Sequence, residues 1–209
     1  DEADEMLNMG FRDDIEFILK NTPERQSTWL FSATMPGEVR QVSKKYMKAP
    51  FELTIGKTNA GAINIDHQYY VTSSVNRYET LKRIIDFNPG IYGIIFTRTK
   101  ADAQEIAETI VREGYDIEAL HGDLTQQQRD KVMGRFREKS LQLLIATDVA
   151  ARGIDVQGIT HVINYELPDD PEVYTHRSGR TGRAGKSGIC LSIVTSRDLY
   201  RIKQIERMN

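Results

Sequence analysis

The stretch LQLLIATDVAARGID, residues 141–155, decides the fold. A hydrophobic strand over 142–146 gives way to a turn that carries Thr147, Asp148, Arg152 and Asp155. Polar groups set just beyond the carboxyl end of a parallel strand are where open α/β sheets bind their ligands. Asp148 reads equally as the cap of a following helix or as a ligand-facing carboxylate.

Outward from this stretch the same grammar repeats. From residue 66 onward, short apolar β-rich runs alternate with segments that are apolar at helical spacing, the pattern of a parallel sheet covered by helices. Strands are expected over 67–72, 93–97, 117–120, 142–146, 161–164 and 188–194, and helices over 76–87, 100–113, 126–137, 171–178 and 198–208. In the second of these helices Ala103, Ile106, Ala107, Ile110 and Val111 form one stripe. Upstream, a helix over 6–20, a strand over 28–31, a helix over 37–47 and a short strand over 51–55 are expected. Residues 56–64, GKTNAGAIN, are small, polar and glycine-containing, and read as a linker.

With 209 residues, 39% hydrophobic and 28% charged, the chain has the composition of a soluble globular protein of one large or two small domains. No apolar run approaches the roughly 18 residues needed to cross a bilayer, and no basic-then-apolar leader stands at the start. A cytoplasmic location without a membrane partner is the expectation. The single cysteine, Cys190, lies among Ile189, Leu191, Ile193 and Val194 and reads as strand core. The histidines, His67, His121, His161 and His176, lack metal-ligand spacing. A net charge of −2 excludes nucleic-acid binding by a globally basic surface and leaves only a local patch. One candidate falls between Glu172 and Asp198, where no acidic residue occurs but Arg177, Arg180, Arg183, Lys186 and Arg197 do.

Three further stretches carry chemistry. In HRSGRTGRAG, residues 176–185, arginines three apart suit a solvated helix face as well as a binding loop. Its glycines favour a turn, since each costs about 1 kcal/mol inside a helix. Arginines held on such a turn suit planar, bidentate phosphate recognition. HGDLTQQQR, residues 121–129, runs from a strand end into a helix, with Thr125 as N-cap and Gln126 and Arg129 one turn apart. DEADEMLNMGF opens the chain with Asp1, Glu2 and Asp4, which alone would read as a solvated acidic end.

Taken in order, DEAD (1–4), SAT (32–34), IIFTRTK (94–100), HGDLTQQQR, ATDVAARGID (146–155) and HRSGRTGRAG resemble the DEAD-box RNA helicases over the whole chain. The resemblance implies an α/β fold of RecA-like domains, each a parallel sheet with helices on both faces. Residues 1–55 would be the tail of the first domain, and 65–209 the complete second, C-terminal helicase domain. It further implies that Asp1 holds the Mg²⁺ bound to ATP and that Glu2 orients the attacking water, the two needs of phosphoryl transfer. Ser32 and Thr34 would couple the ATP state to RNA through hydroxyl hydrogen bonds near the DEAD residues. Arg180 and Arg183 match the arginine fingers that reach the γ-phosphate, Asp155 the ribose-binding carboxylate, and His176 a residue that ties the cleft together; Arg177 has no assigned role. RNA would lie along Phe96, Thr97, Arg98, Gly122, Gln126, Arg129, Thr147 and Asp148, held by its backbone without base reading and distinguished from DNA by its 2′-hydroxyl. Asp148 would accept from that hydroxyl or fix a neighbouring arginine.

The chain departs from the family at Ser178, where an aliphatic residue is common, and in having no G-x-x-x-x-G-K-[ST] phosphate loop. Gly56, Lys57 and Thr58 imitate its end, but Phe51 stands five before Gly56, and without that glycine the backbone amides cannot wrap a phosphate. The adenine-reading segment is missing as well. The implied parent activity is RNA-dependent ATP hydrolysis coupled to RNA binding and duplex separation, with the chain alone inactive. Its partners would be RNA, ATP, the N-terminal RecA-like domain and, through the apolar face of Met6, Met9, Ile15, Ile18 and Leu19, a second copy of the chain. A non-catalytic RNA-binding or assembly module is the rival. A related DNA helicase is disfavoured by the DEAD spelling and the Gln126/Arg129 pair.

Overall fold

A computed structural model describes residues 1–54 and 64–208. They belong to two units, 1–60 and 61–209. Most of the expected linker, residues 56–63, lies outside the described residues, and Gly56, Lys57 and Thr58 with it.

In the first unit the helices are α1 (Ala3–Asn8), α2 (Arg12–Asn21) and α3 (Gly37–Tyr46). The single helix expected over 6–20 is broken at Gly10, whose φ of 82° is left-handed and ends α1 without a Cβ penalty. The strands expected over 28–31 and 51–55 are not formed among the described residues, Ile55 lying outside them. A strand exists through its ladder, and here only an isolated backbone bond, Ala3 N–H to Phe31 O at 3.1 Å, approaches one. Ala3, Leu7, Val39 and Val42 form a small core, with Ile15, Leu30, Met35 and Tyr46 packed on it. Of the apolar helix face, Ile15 finds this core while Met9 and Ile18 stay exposed, as do Phe17, Trp29 and Phe31.

In the second unit β1 (Ile65–Val71), β2 (Gly93–Phe96), β3 (Ile117–Leu120), β4 (Leu143–Ala146), β5 (His161–Asn164) and β6 (Gly188–Val194) form one parallel sheet in the order β1-β6-β5-β2-β4-β3. Successive side chains point to opposite faces. Ile94, Phe96, Leu144, Ala146, Val162, Cys190 and Val194 therefore pack on one side and Ile95, Leu143, Ile145, Ile163, Leu191 and Ile193 on the other. The second side is covered by α4 (Arg77–Phe87) and α5 (Lys100–Arg112). The first is covered by α6 (Gln126–Arg137), α8 (Pro171–Ser178) and α9 (Leu199–Met208), with the short α7 (Asp148–Ala151) beside them. Every strand and helix expected in this unit is present, with ends shifted by at most two residues. The added elements are α7, of four residues, and two single-turn 3-10 helices, Ser74–Asn76 and Ser196–Asp198, all too short to show a helical period. Because all strands run parallel, every loop leaving a strand end emerges at one carboxyl edge, and there the motifs meet.

Candidate functional site

At that edge β4 ends in Thr147, whose side chain accepts from the Ala150 N–H and caps α7. Thr147, not Asp148, is the cap. Asp148 is left free to meet α8, and it accepts a bidentate pair from Arg177, at 2.6 Å from Nε and 2.8 Å from Nη2. Nη1 of Arg177 donates to Asn164 Oδ1 at 2.9 Å and to the Glu166 carbonyl at 2.8 Å, and the guanidinium lies 5.0 Å from the centre of the Phe96 ring. Arg177, 3% exposed, is thus a buried hub that joins the ends of β2, β4 and β5 to α8. Sequence reasoning gave it no role. The available signal was Asn164, a polar residue closing the strand HVIN directly after Val162 and Ile163. The same Asn164 donates to Ser192 at 3.2 Å and to Cys190 Sγ at 3.6 Å. Burial pushes the Cys190 thiol up to about 11, so it is strand core and not a nucleophile.

Beyond Arg177 the helix stops at Gly179 and the chain turns through Gly182 at φ +67°. The segment 176–185 is therefore helix at its start and a glycine turn after it. On this turn Arg183 donates to Gly179 O at 2.9 Å and to Asp155 at 3.0 Å, with 34% of its side chain exposed. The structure so brings together Asp155 and Arg183. Arg180 is turned inward, with its guanidinium on the carbonyls of His176 and Ile154, both at 3.2 Å. The basic run from Arg177 to Arg197 is consequently not one surface patch: Arg177 and Arg180 are buried, and only Lys186 and Arg197 are exposed outright.

The residues expected along RNA leave the ends of β2, β4 and β3. Gly122 and Gln126 are exposed, and Thr125 and Gln128 form a reciprocal capping box that starts α6. Arg129 reaches back to the Ala150 carbonyl at 2.6 Å, which ties α6 to α7. Arg98 is exposed, 3.3 Å from Asp169. Two expectations are corrected. The Phe96 side chain, 2% exposed beneath Arg177, belongs to the core and cannot touch a strand of RNA. The Thr97 side chain is fully buried and donates to the Thr99 carbonyl at 3.2 Å.

In the first unit the expected link between SAT and DEAD runs through Asp4, which sequence reasoning noted in the acidic opening but gave no role of its own. Thr34 donates to its carboxylate from both N–H (2.9 Å) and Oγ1 (2.6 Å), and the Asp4 N–H donates to Ser32 Oγ at 3.1 Å. Asp4 is fully buried, whereas Asp1 is exposed and Glu2 half-buried. Glu2 has a φ of 50°, a left-handed conformation that costs a non-glycine residue about 1–2 kcal/mol. Among the described residues no group of three or more His, Cys, Asp or Glu could hold a metal ion. Magnesium on a nucleotide needs only one or two carboxylates beside phosphate oxygens, and Asp1 can offer one.

Residues 76–185 match the helicase conserved C-terminal domain and residues 1–42 the DEAD/DEAH box helicase family. The DEAD-box ATP-dependent RNA helicase CshA of Bacillus cereus is 46% identical over 207 residues, 99% of this chain and 39% of that protein. CshA of Bacillus subtilis is 44% identical over 99% of this chain and 42% of its own length. The chain thus spans about two fifths of these relatives. Among solved structures, a DEAD box protein from the hyperthermophile Methanococcus jannaschii is 46% identical, with a TM-score of 0.66 over 99% of this chain and 55% of that one. S. cerevisiae Dbp5 bound to RNA and ADP BeF3 is 33% identical, with a TM-score of 0.88 over the same shares. The sheet, the six motifs in order and these matches agree: the chain belongs to the DEAD-box RNA helicase family, its residues 76–185 being a helicase conserved C-terminal domain.

Proposed function

We propose that the chain supplies the arginine and RNA-holding half of an RNA-dependent ATPase that separates short duplexes. Residues 1–55 are part of its first RecA-like domain and 65–209 are its second. The observation that carries this reading is the Asp148–Arg177 pair, which joins the Gly122, Gln126, Arg129 and Thr147 track to the segment bearing Arg180 and Arg183. A strand of RNA lying on the track presses on the loops of β4 and β2. Their positions are passed through Arg177 to α8 and so to Arg183. Arg183, the half-exposed guanidinium, meets the charge that develops on the transferring phosphoryl group. Arg180 follows on leaving its two carbonyls, and Asp155 exchanges Arg183 for the ribose. Asp1 is the carboxylate that would hold Mg²⁺, which neutralises phosphate charge when bound, and Glu2 orients the attacking water.

No helix among the described residues is long and apolar enough to cross a membrane, and a cytoplasmic setting accords with that. Exposed Phe17, Ile18, Trp29 and Phe31 support a protein surface as neighbour to residues 1–54, the rest of the first domain or, failing it, a second copy of the chain. The deciding experiment is RNA-stimulated ATP turnover by the chain with and without a separately made first domain. Turnover only in the mixture is expected. None in either, with RNA binding retained, would favour a non-catalytic RNA module.

A further inference from the structure

The loops leaving β1, β6, β5 and β2, neighbours in the sheet, enclose a cleft of about 320 Å³ at the carboxyl edge. Four arginines line it, Arg77, Arg98, Arg197 and Arg201, together with the hydroxyls of Ser74 and Thr195. Arg77 donates to the Tyr165 carbonyl at 3.0 Å and lies 3.7 Å from Glu166. Asp198 is engaged by the Thr195 N–H and hydroxyl, at 2.8 and 2.7 Å. Arg197 is exposed and makes no hydrogen bond or ion pair among the described residues. Asp169, 67% exposed and outside the lining, lies 3.3 Å from Arg98 and 2.7 Å from Arg201. One exposed carboxylate thus bridges guanidinium groups of two different walls, the loop after β2 and helix α9. A phosphate between two planar forks would have the same arrangement.

We propose that this cleft is a phosphate subsite. It takes a backbone phosphate of an RNA strand that continues past the β3, β4 and β2 track, and Asp169 holds its arginines in position until the phosphate displaces it. The proposal rests on the reading that the track binds RNA, and Arg98, at the strand where the two halves of the edge meet, serves both. Once Asp169 is displaced, four guanidinium groups face two carboxylates, Glu166 and Asp198, a balance that favours an anion. Of the lining side chains only Leu167 is aliphatic and only Tyr200 aromatic, so the cleft suits no apolar peptide, and a base stacked on the exposed Tyr200 would leave its phosphate to the arginines.

The test is fluorescence anisotropy of the 209-residue chain at several salt concentrations, on single-stranded RNAs of about six and about twelve nucleotides, spanning the range of site sizes for strand-binding proteins. Arg197→Ala is expected to flatten the salt slope by about 0.7 on the longer RNA, the contribution of one phosphate, and to leave the shorter unchanged. Asp169→Asn is expected to tighten the longer RNA by about 2- to 5-fold, the size of an exposed ion pair. Both side chains are exposed, so neither change threatens the fold. Normal RNA binding with both variants unaltered overturns the proposal, and so does equal loss at both lengths. Inorganic phosphate abolishing the Arg197 effect while RNA length makes no difference would mean a free anion site and also overturns it. Failure of the unaltered chain to bind either RNA sinks the functional reading first and this subsite with it.

Discussion

Residues 1–54 and 64–208 each tie a motif down with a carboxylate, but they do so against different backgrounds. Asp4 is itself fully buried and accepts from the amide and hydroxyl of Thr34, beside a core of four buried apolar residues. In the Asp148–Arg177 pair the arginine is the buried partner, its side chain 4% exposed against 36% for the aspartate, beneath a sheet packed on both faces. Where apolar burial is small, a polar anchor supplies a large share of stability. Where it is large, the anchor chiefly sets orientation. The difference predicts which substitutions unfold a region and which silence a folded one.

The largest effect belongs to the second kind. In the complete protein Arg183→Lys should lower RNA-stimulated turnover by about 10³- to 10⁵-fold, since an ammonium cannot reproduce a planar fork on the transferring phosphoryl group. The thermal transition should not move. Near-normal turnover would remove Arg183 from the reaction. Next come the anchors. Arg177→Ala should cost about 2–3 kcal/mol, since it removes charged hydrogen bonds to Asp148 and leaves the buried Asn164 Oδ1 without its donor, and the sheet should remain folded by circular dichroism. Asp4→Ala should cost about 2–3 kcal/mol in lost charged hydrogen bonds, yet unfold its unit, with Trp29, the sole tryptophan, reporting the change by fluorescence. An unchanged Trp29 signal would show that the small core suffices without its anchor.

Gly182→Ala sharpens the comparison on a smaller scale. At φ +67° a Cβ is strained by about 1–2 kcal/mol, and it would stand 2.7 Å from Ile65 Cγ1 at the start of β1. A loss of about 1–3 kcal/mol in urea is expected. Because the turn carries Arg183, turnover of the complete protein should fall further than its stability explains. Equal stability of variant and parent would mean that the turn relaxes freely.

How much of this was legible in the sequence follows the same division. In the second unit the apolar runs and helical stripes gave every long element, because two-sided burial writes its period into the residues. Upstream, residues 28–31 and 51–54 have strand-like composition, but a strand needs a partner, and composition does not say whether one is present. At the site, motif spelling named Arg183 and Asp155, which the structure joins in an ion pair, and Ser32 and Thr34, which it joins to Asp4. It could not show that Phe96 and Thr97 point inward or that Arg180 is folded onto carbonyls, because motif order does not encode side-chain direction. Nor could it find the partners: Asn164 and Asp4 lie 13 and 30 residues from the side chains they meet.

The smallest expected effect separates the units by pH. In the first, Glu16 is held down at about 2, by its hydrogen bond with Lys45 foremost and then by that with Tyr46. Its folded value lies below the ordinary 4.5, so the stabilisation is complete above about 4.5 and is lost as pH falls toward 2. In the second, burial lowers His67 and His161 from 6.5, with Asp66 opposing it at His67, and the His161 Nε2 is buried without a hydrogen-bond partner among the described residues. The unfolded chain therefore takes up those protons first. Stability of the sheet is complete above about 6.5 and declines as pH drops below it. Between pH 6.5 and 4.5 the second unit should weaken while the first does not. Urea titrations at pH 7.5 and 5.0 test this, with Trp29 fluorescence following residues 1–54 and far-ultraviolet circular dichroism dominated by the sheet and its helices. The circular dichroism midpoint should fall at the lower pH and the Trp29 midpoint should hold. A joint shift of both would mean that the two regions unfold as one, and the contrast between a polar-anchored unit and a core-anchored one would lose its basis.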